Sequence, residues 1–174
     1  IKQSGSSITI GESGDTITLP SSATLSNFPD NAPAFAVETT STQSVSNSTE
    51  TKVTHNSTRF DTNSGWSTSN YRYTIPTTGK YLVTHGVRFQ STSAPRVISW
   101  VRKNASGNDN LNTVEINPNS SGESPGLSGS FIYDFTAGDY IEHYVFQNAG
   151  SSKNIETGAN HMPCFFQAIK LIGI

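Results

Sequence analysis

The residues of this chain with the greatest chemical potential are four histidines, one cysteine and a few acids. His55, His85, His143 and His161 could offer imidazole nitrogens to a metal. They lie far apart, with none of the short spacings of metal ligands, so only the fold could bring them together. The expectation is hydrogen-bonded histidines and no metal. Cys164 sits between Pro163 and Phe165 in an apolar run and reads as a small buried hydrophobe rather than a reactive thiol. A single cysteine closes no disulfide within the chain. Asp109, in Gly107-Asn108-Asp109-Asn110, could bind calcium weakly, but a polar turn is the preferred reading. No Gly-x-Ser-x-Gly elbow and no cluster of acids stands out, and Ser128-Gly129-Ser130 reads as a strand start. A non-enzymatic protein without a cofactor is expected. Asn47, Asn56, Asn104 and Asn119 fit the glycosylation pattern, as chance provides in a chain this rich in Asn, Ser and Thr.

Composition narrows the class. The chain has 174 residues, only 33% of them hydrophobic, and a formal charge of -2. That length suits one domain plus an arm, and the polar bias suits an all-β protein with many loops or an assembly that buries surface between chains. No cluster of Lys and Arg exists, which removes the electrostatic footprint of nucleic acid binding and of a polybasic membrane contact. No apolar run is long enough for a membrane-spanning helix, and no signal-peptide pattern is legible.

The elements that must position these residues are strands. From Tyr71 to Phe89 the chain reads as a strand, a Thr77-Thr78-Gly79 turn and a longer strand, in which Tyr81, Val83, His85, Val87 and Phe89 alternate with Leu82, Thr84, Gly86 and Arg88. Its length and two-sided pattern predict a central strand. Further strands are predicted at 34–38, 59–61, 96–103, 111–116, 128–135, 140–146 and 164–172, with exposed, irregular strands across 39–58. Trp66 is expected to anchor packing near a loop. No 3.6-residue periodicity appears, so about ten short strands separated by turn residues predict a jelly-roll sandwich.

The order of these pieces resembles the complement C1q globular-head family of the tumour-necrosis-factor-like jelly rolls. Ala34-Phe35-Ala36 looks like that family's opening strand, and Tyr73-Thr74-Ile75-Pro76 with Gly79-Lys80-Tyr81 like its central pair of motifs. Val101-Arg102-Lys103-Asn104, Ser128-Gly129-Ser130, Gly138-Asp139-Tyr140-Ile141 and Phe166-Gln167-Ala168-Ile169-Lys170-Leu171 follow in the family's order. Tyr73 replaces the usual phenylalanine and Ala168 the usual glycine. The resemblance covers roughly residues 33–174 and implies an all-β, ten-strand jelly-roll sandwich that assembles as a homotrimer. Tyr71, Tyr73, Tyr81, Phe89, Tyr140, Tyr144, Phe146 and Phe166 are the candidates for its interface, because aromatic side chains concentrate at interfaces; the other reading of each is that it fills the sandwich interior.

Residues 1–32 differ. Ile8-Thr9-Ile10-Gly11 recurs as Ile17-Thr18-Leu19-Pro20 and is echoed by Ala23-Thr24-Leu25, the grammar of a short β-repeat arm that needs a partner to bury its aliphatics. The other reading of the same residues is a tail that packs on nothing. The run 11–20 resembles repeats in virion proteins of tailed phages, marine ones especially. Together the resemblances imply a phage virion structural protein: an arm joined to other virion proteins and a trimeric knob, on a fibre or capsid appendage, that contacts host surface glycan. Loops 39–58, 104–127 and 147–160 are the expected contact surface. The alternatives are a capsid decoration or cement protein and a bacterial extracellular adhesive or filament subunit.

Overall fold

The computed structural model describes residues 32–90, 94–105, 109–118, 124–157 and 164–172. The arm expected over residues 1–32 lies, apart from Ala32, outside them, as does His161. The described strands are β1 (Ala34–Glu38), β2 (Gln43–Val45), β3 (Thr51–Lys52), β4 (Ser57–Asp61), β5 (Trp66–Ser67), β6 (Arg72–Thr74), β7 (Gly79–Arg88), β8 (Val97–Lys103), β9 (Asn110–Ile116), β10 (Gly126–Phe135), β11 (Tyr140–Gln147), β12 (Lys153–Ile155) and β13 (Phe165–Lys170). No helix occurs among the described residues.

Two antiparallel sheets face each other. One runs β10-β7-β13-β1-β4; the other runs β5-β6-β11-β8-β9, with β3 added beside β11. A small β12-β2 pair closes one end. This is the all-β jelly-roll sandwich the sequence predicts, with several short extra strands. The longer strand of the central stretch is interior as expected, flanked by β10 and β13. Tyr71, expected in a first strand beside Tyr73, instead sits in a turn with φ of 50°. The 39–58 segment is less exposed than its composition suggests, since Val45 and Val53 are fully buried.

Period-two alternation sorts the interior into layers. Phe35, Tyr73, Tyr81, Val83, Val101, Phe135, Ile141 and Phe166 belong to one apolar cluster. Val45, Val53, Val87, Phe89, Val97, Leu127, Val145 and Cys164 belong to a second. In the first, Phe35 stacks on Tyr73 at 3.9 Å between ring centroids, on Trp66 at 5.9 Å and edge-on to Phe166 at 5.2 Å. Trp66 is thus the packing anchor the sequence suggested.

Because Phe35 joins three other rings in a fully buried site, Phe35→Ala is expected to lower stability by about 3–5 kcal/mol. Urea unfolding measures this, and a loss under 1 kcal/mol would show that the ring stack does not support the sandwich.

Candidate functional site

Between the two apolar clusters lies a polar layer. Reading inward positions along the strands, β7 presents Tyr81, Val83, His85, Val87 and then Phe89, while β8 presents Val101, Ser99, Val97 and β11 presents Ile141, His143, Val145. His85, Ser99 and His143 therefore fall at one level, each flanked by a member of each cluster. His55 joins them from the segment between β3 and β4. None has appreciable solvent contact: relative exposure is 0% for His55, His85 and Ser99 and 1% for His143.

These groups form one continuous hydrogen-bonded chain. Thr39 Oγ1 lies 3.0 Å from His55 Nδ1, and His55 Nε2 lies 3.0 Å from His143 Nδ1. His143 Nε2 is 2.9 Å from Ser99 Oγ, which is 3.0 Å from His85 Nδ1. His85 Nε2 ends the chain on Asn112, 3.1 Å from Oδ1 and 3.3 Å from the main-chain oxygen.

The Asn112 end fixes every proton. A main-chain carbonyl oxygen only accepts, so His85 Nε2–H donates to it and His85 Nδ1 accepts from the Ser99 hydroxyl. That hydroxyl then accepts from His143 Nε2–H, leaving His143 Nδ1 to accept from His55 Nε2–H. His55 Nδ1 finally accepts from the Thr39 hydroxyl. All three imidazoles are neutral Nε2–H tautomers, and all bonds run one way. Burial lowers the pKa of His55 to about 3 and that of His143 well below its ordinary value, with the neighbouring histidines adding to the effect. Burial also lowers the pKa of His85, opposed by its bonds to Asn112.

Ser99 between two imidazoles has the composition of a nucleophile and base, but with no exposed surface it meets no substrate. The histidines also do not converge on one point: His143 uses one nitrogen toward His55 and the other toward Ser99, and among the described residues no group of His, Cys, Asp or Glu could hold a metal. Cys164 is buried, and desolvation raises its thiol pKa to about 11, as suits a packing residue. Asp109 is exposed, and its carbonyl accepts from the Lys103 N–H beside it.

The aromatic candidates divide. Tyr73, Tyr81, Phe89 and Phe166 are fully buried within a single chain and have no surface to present to another. Alternation places them inward, where they fill the two clusters. Tyr140, Tyr144 and Phe146 are half-buried along β11 on the outer face of the six-stranded sheet, and half-buried Tyr71 lies in its turn. Around Tyr144, Trp100 stacks at 5.8 Å and the Arg102 guanidinium lies over the ring at 4.4 Å. Arg102 pairs with Glu50 at 2.9 Å, and Lys52 pairs with Glu142. Beside this layer lies a groove of about 260 Å³ lined by Glu50, Arg96, Ile98, Trp100, Asn110, Thr113 and Phe146.

The outer face of the five-stranded sheet is different. Register aligns Ile132, Leu82, Ile169 and Ala34 in a row across β10, β7, β13 and β1. Phe60 extends the next row through Ala36. Phe60 is 51% exposed and Ile132 57%. A shallow cavity of about 170 Å³ sits here, lined by Ala34, Phe60, Leu82, Thr84, Gln167 and Ile169. This patch was not among the expectations from sequence: Leu82 and Ile132 lie on different strands, and only register sets them side by side.

No protein-family model and no curated protein matches this chain. Solved structures do. The Eiger tumour necrosis factor of S. frugiperda superposes with a TM-score of 0.62 at 14% identity, over 79% of this chain and 91% of that one. Murine APRIL gives 0.60 at 15% identity over 79% and 98%. The globular domain of zebrafish complement 1qA gives 0.53 at 17% identity over 80% and 97%. The fold is a tumour-necrosis-factor and C1q-like jelly roll.

Gly129 pairs with His85, and a Cβ there would lie 2.0 Å from Asn112 Oδ1 and 2.6 Å from His85 Nε2. A Cβ on Gly126 of the same strand meets nothing within 4 Å. Gly129→Ala is therefore expected to destabilise by about 1–3 kcal/mol, and Gly126→Ala to stay within about 0.5 kcal/mol. Chemical denaturation of both variants checks this; equal effects would remove the special role of Gly129.

Proposed function

We propose that this chain is a non-enzymatic recognition head that forms a homotrimer through the outer face of its five-stranded sheet and binds a surface glycan with the opposite outer face. The observation that carries this reading is the contrast between those faces. Ile132, Leu82, Ile169 and Phe60 form an apolar surface on a chain otherwise poor in apolar residues. Such a patch favours burial against another protein surface. The C1q resemblance supports three copies.

The other face has the mixed chemistry a sugar needs: Ile98, Trp100 and Phe146 for its apolar C–H surface, with Glu50, Arg96, Asn110 and Thr113 for its hydroxyls. Glu50 comes from the 39–58 segment, and Asn110 and Thr113 come from β9, within 104–127. Threefold repetition would turn weak contacts into avidity. On the particle, we place the head on a phage fibre or capsid appendage, joined by residues 1–32 to other virion proteins. The repeat resemblance of residues 11–20 supports that placement.

Sedimentation equilibrium is expected to give a trimer for the native chain and a monomer for Ile132→Lys. A monomeric native chain would reject the assembly face. Thr113→Tyr, at an exposed position in the groove, is expected to weaken binding to purified host polysaccharide at least tenfold with the trimer retained. Unchanged binding rejects the groove. Cryo-microscopy of intact particles tests the placement: copies at fibre tips support it, and copies spread over the capsid lattice indicate a decoration protein.

A further inference from the structure

The polar layer is a costly way to fill a sandwich. Buried donors and acceptors gain little net stability when paired and lose much when left unpaired. Here every link is made, yet the chain has little room for another proton. A proton added at His143 Nδ1 would face the His55 N–H, and one added at His85 Nδ1 would face the Ser99 hydroxyl hydrogen. The Thr39 hydroxyl can turn and accept from His55, whereas Ser99 Oγ could accept from both imidazoles only by turning its own hydrogen away from His85.

Charge is the greater obstacle. The ring neighbours are Phe166, which lies 6.1 Å from His55 and 5.9 Å from His143, and Trp66, which lies 6.3 Å from His55. From β7 and β8 the flanking inward groups are Val83, Val87, Val97 and Val101, from β11 Ile141 and Val145, and from β9 and β10 Asn112, Val114 and Gly129. The ionisable groups facing each imidazole in this layer are the other imidazoles. Glu142 and Arg102, adjacent along β11 and β8, point outward and pair with Lys52 and Glu50. An imidazolium formed here would gain no counter-charge.

We propose that the Thr39–His55–His143–Ser99–His85–Asn112 chain is an acid-sensitive lock: it holds the two sheets together near neutral pH and opens them cooperatively as the medium acidifies. His85 belongs to the five-stranded sheet, while Ser99 and His143 belong to the six-stranded sheet, so loss of the chain parts the sandwich.

The sign follows from linkage. An unfolded histidine titrates near pH 6.5, and these three titrate lower when folded, so below about 6.5 the unfolded chain binds more protons. The stabilisation is present above that pH and is lost as pH falls below it, for His55 toward about 3. Each histidine contributes up to about a tenfold fall in the folding constant per pH unit, and three contribute up to about a thousandfold. Carboxylates add mainly below about pH 5, so the window from 6.5 to 5 isolates the histidines.

The test uses the full chain at fixed ionic strength, with His161→Gln throughout to remove the fourth histidine. Unfolding constants from urea titrations at half-unit pH steps are expected to change with more than one proton's slope between pH 6.5 and 5. A slope of one proton or less overturns the proposal. Nitrogen-15 spectra of the folded protein at pH 7 and 5.5 are expected to show three neutral Nε2–H imidazoles. An imidazolium or an Nδ1–H tautomer at either pH overturns it. Adding His85→Gln is expected to reduce the slope by about one proton, read at that variant's own midpoint; an unchanged slope counts against the lock. Should that variant fail to fold, the slope and tautomers of the parent decide.

Discussion

A one-way line of hydrogen bonds through the middle of an apolar sandwich constrains much of this structure. Its members come from the turn after β1, the segment before β4, and strands β7, β8, β9 and β11. Each bond spans a large sequence separation, so the line exists only when both sheets are in register. A one-residue slip in β7 would swap His85 for Thr84 or Gly86 and leave Ser99 and Asn112 without their partner. The layer therefore resists misregistration, whatever its net contribution to stability.

Several local choices follow from that line. Gly129 lacks a side chain because Asn112 and His85 occupy the space a Cβ would take. Asn112 adopts a left-handed φ of 49°, which asparagine tolerates better than most residues, and so brings both its oxygens to His85. Phe166 lies alongside His55 and His143 and also meets Phe35 edge-on, which couples the polar layer to the aromatic cluster.

The outer surfaces are freer of this constraint, and they have diverged from each other. One carries a cross-strand row of aliphatics with the Lys80–Asp134 and Arg59–Glu38 ion pairs at its margins; the other carries ion pairs laid over Trp100 and Tyr144. The core fixes which strand positions point outward but not what stands there. A jelly-roll scaffold accordingly supports many functions, and the function of this chain has to be argued from its faces and not from its fold.

The sequence by itself determined the class and most of the strands. Alternation from Tyr81 to Phe89, from Val97 to Val101 and from Tyr140 to Phe146 is local, and so are the Gly79 and Gly138-Asp139 turns between strands. Alternation also separates two faces, but it does not say which faces the interior, and aromatic residues suit either. That is why Tyr73, Tyr81, Phe89 and Phe166 read as interface candidates yet fill the core, while Phe60 and Ile132 went unmarked on the surface. The histidine line was beyond any local signal. His55 and His143 are 88 residues apart, and only strand order and register place them at one level of one sandwich. Tertiary structure decided that layer, because hydrogen bonds between distant residues depend on three-dimensional position and leave no period in the chain.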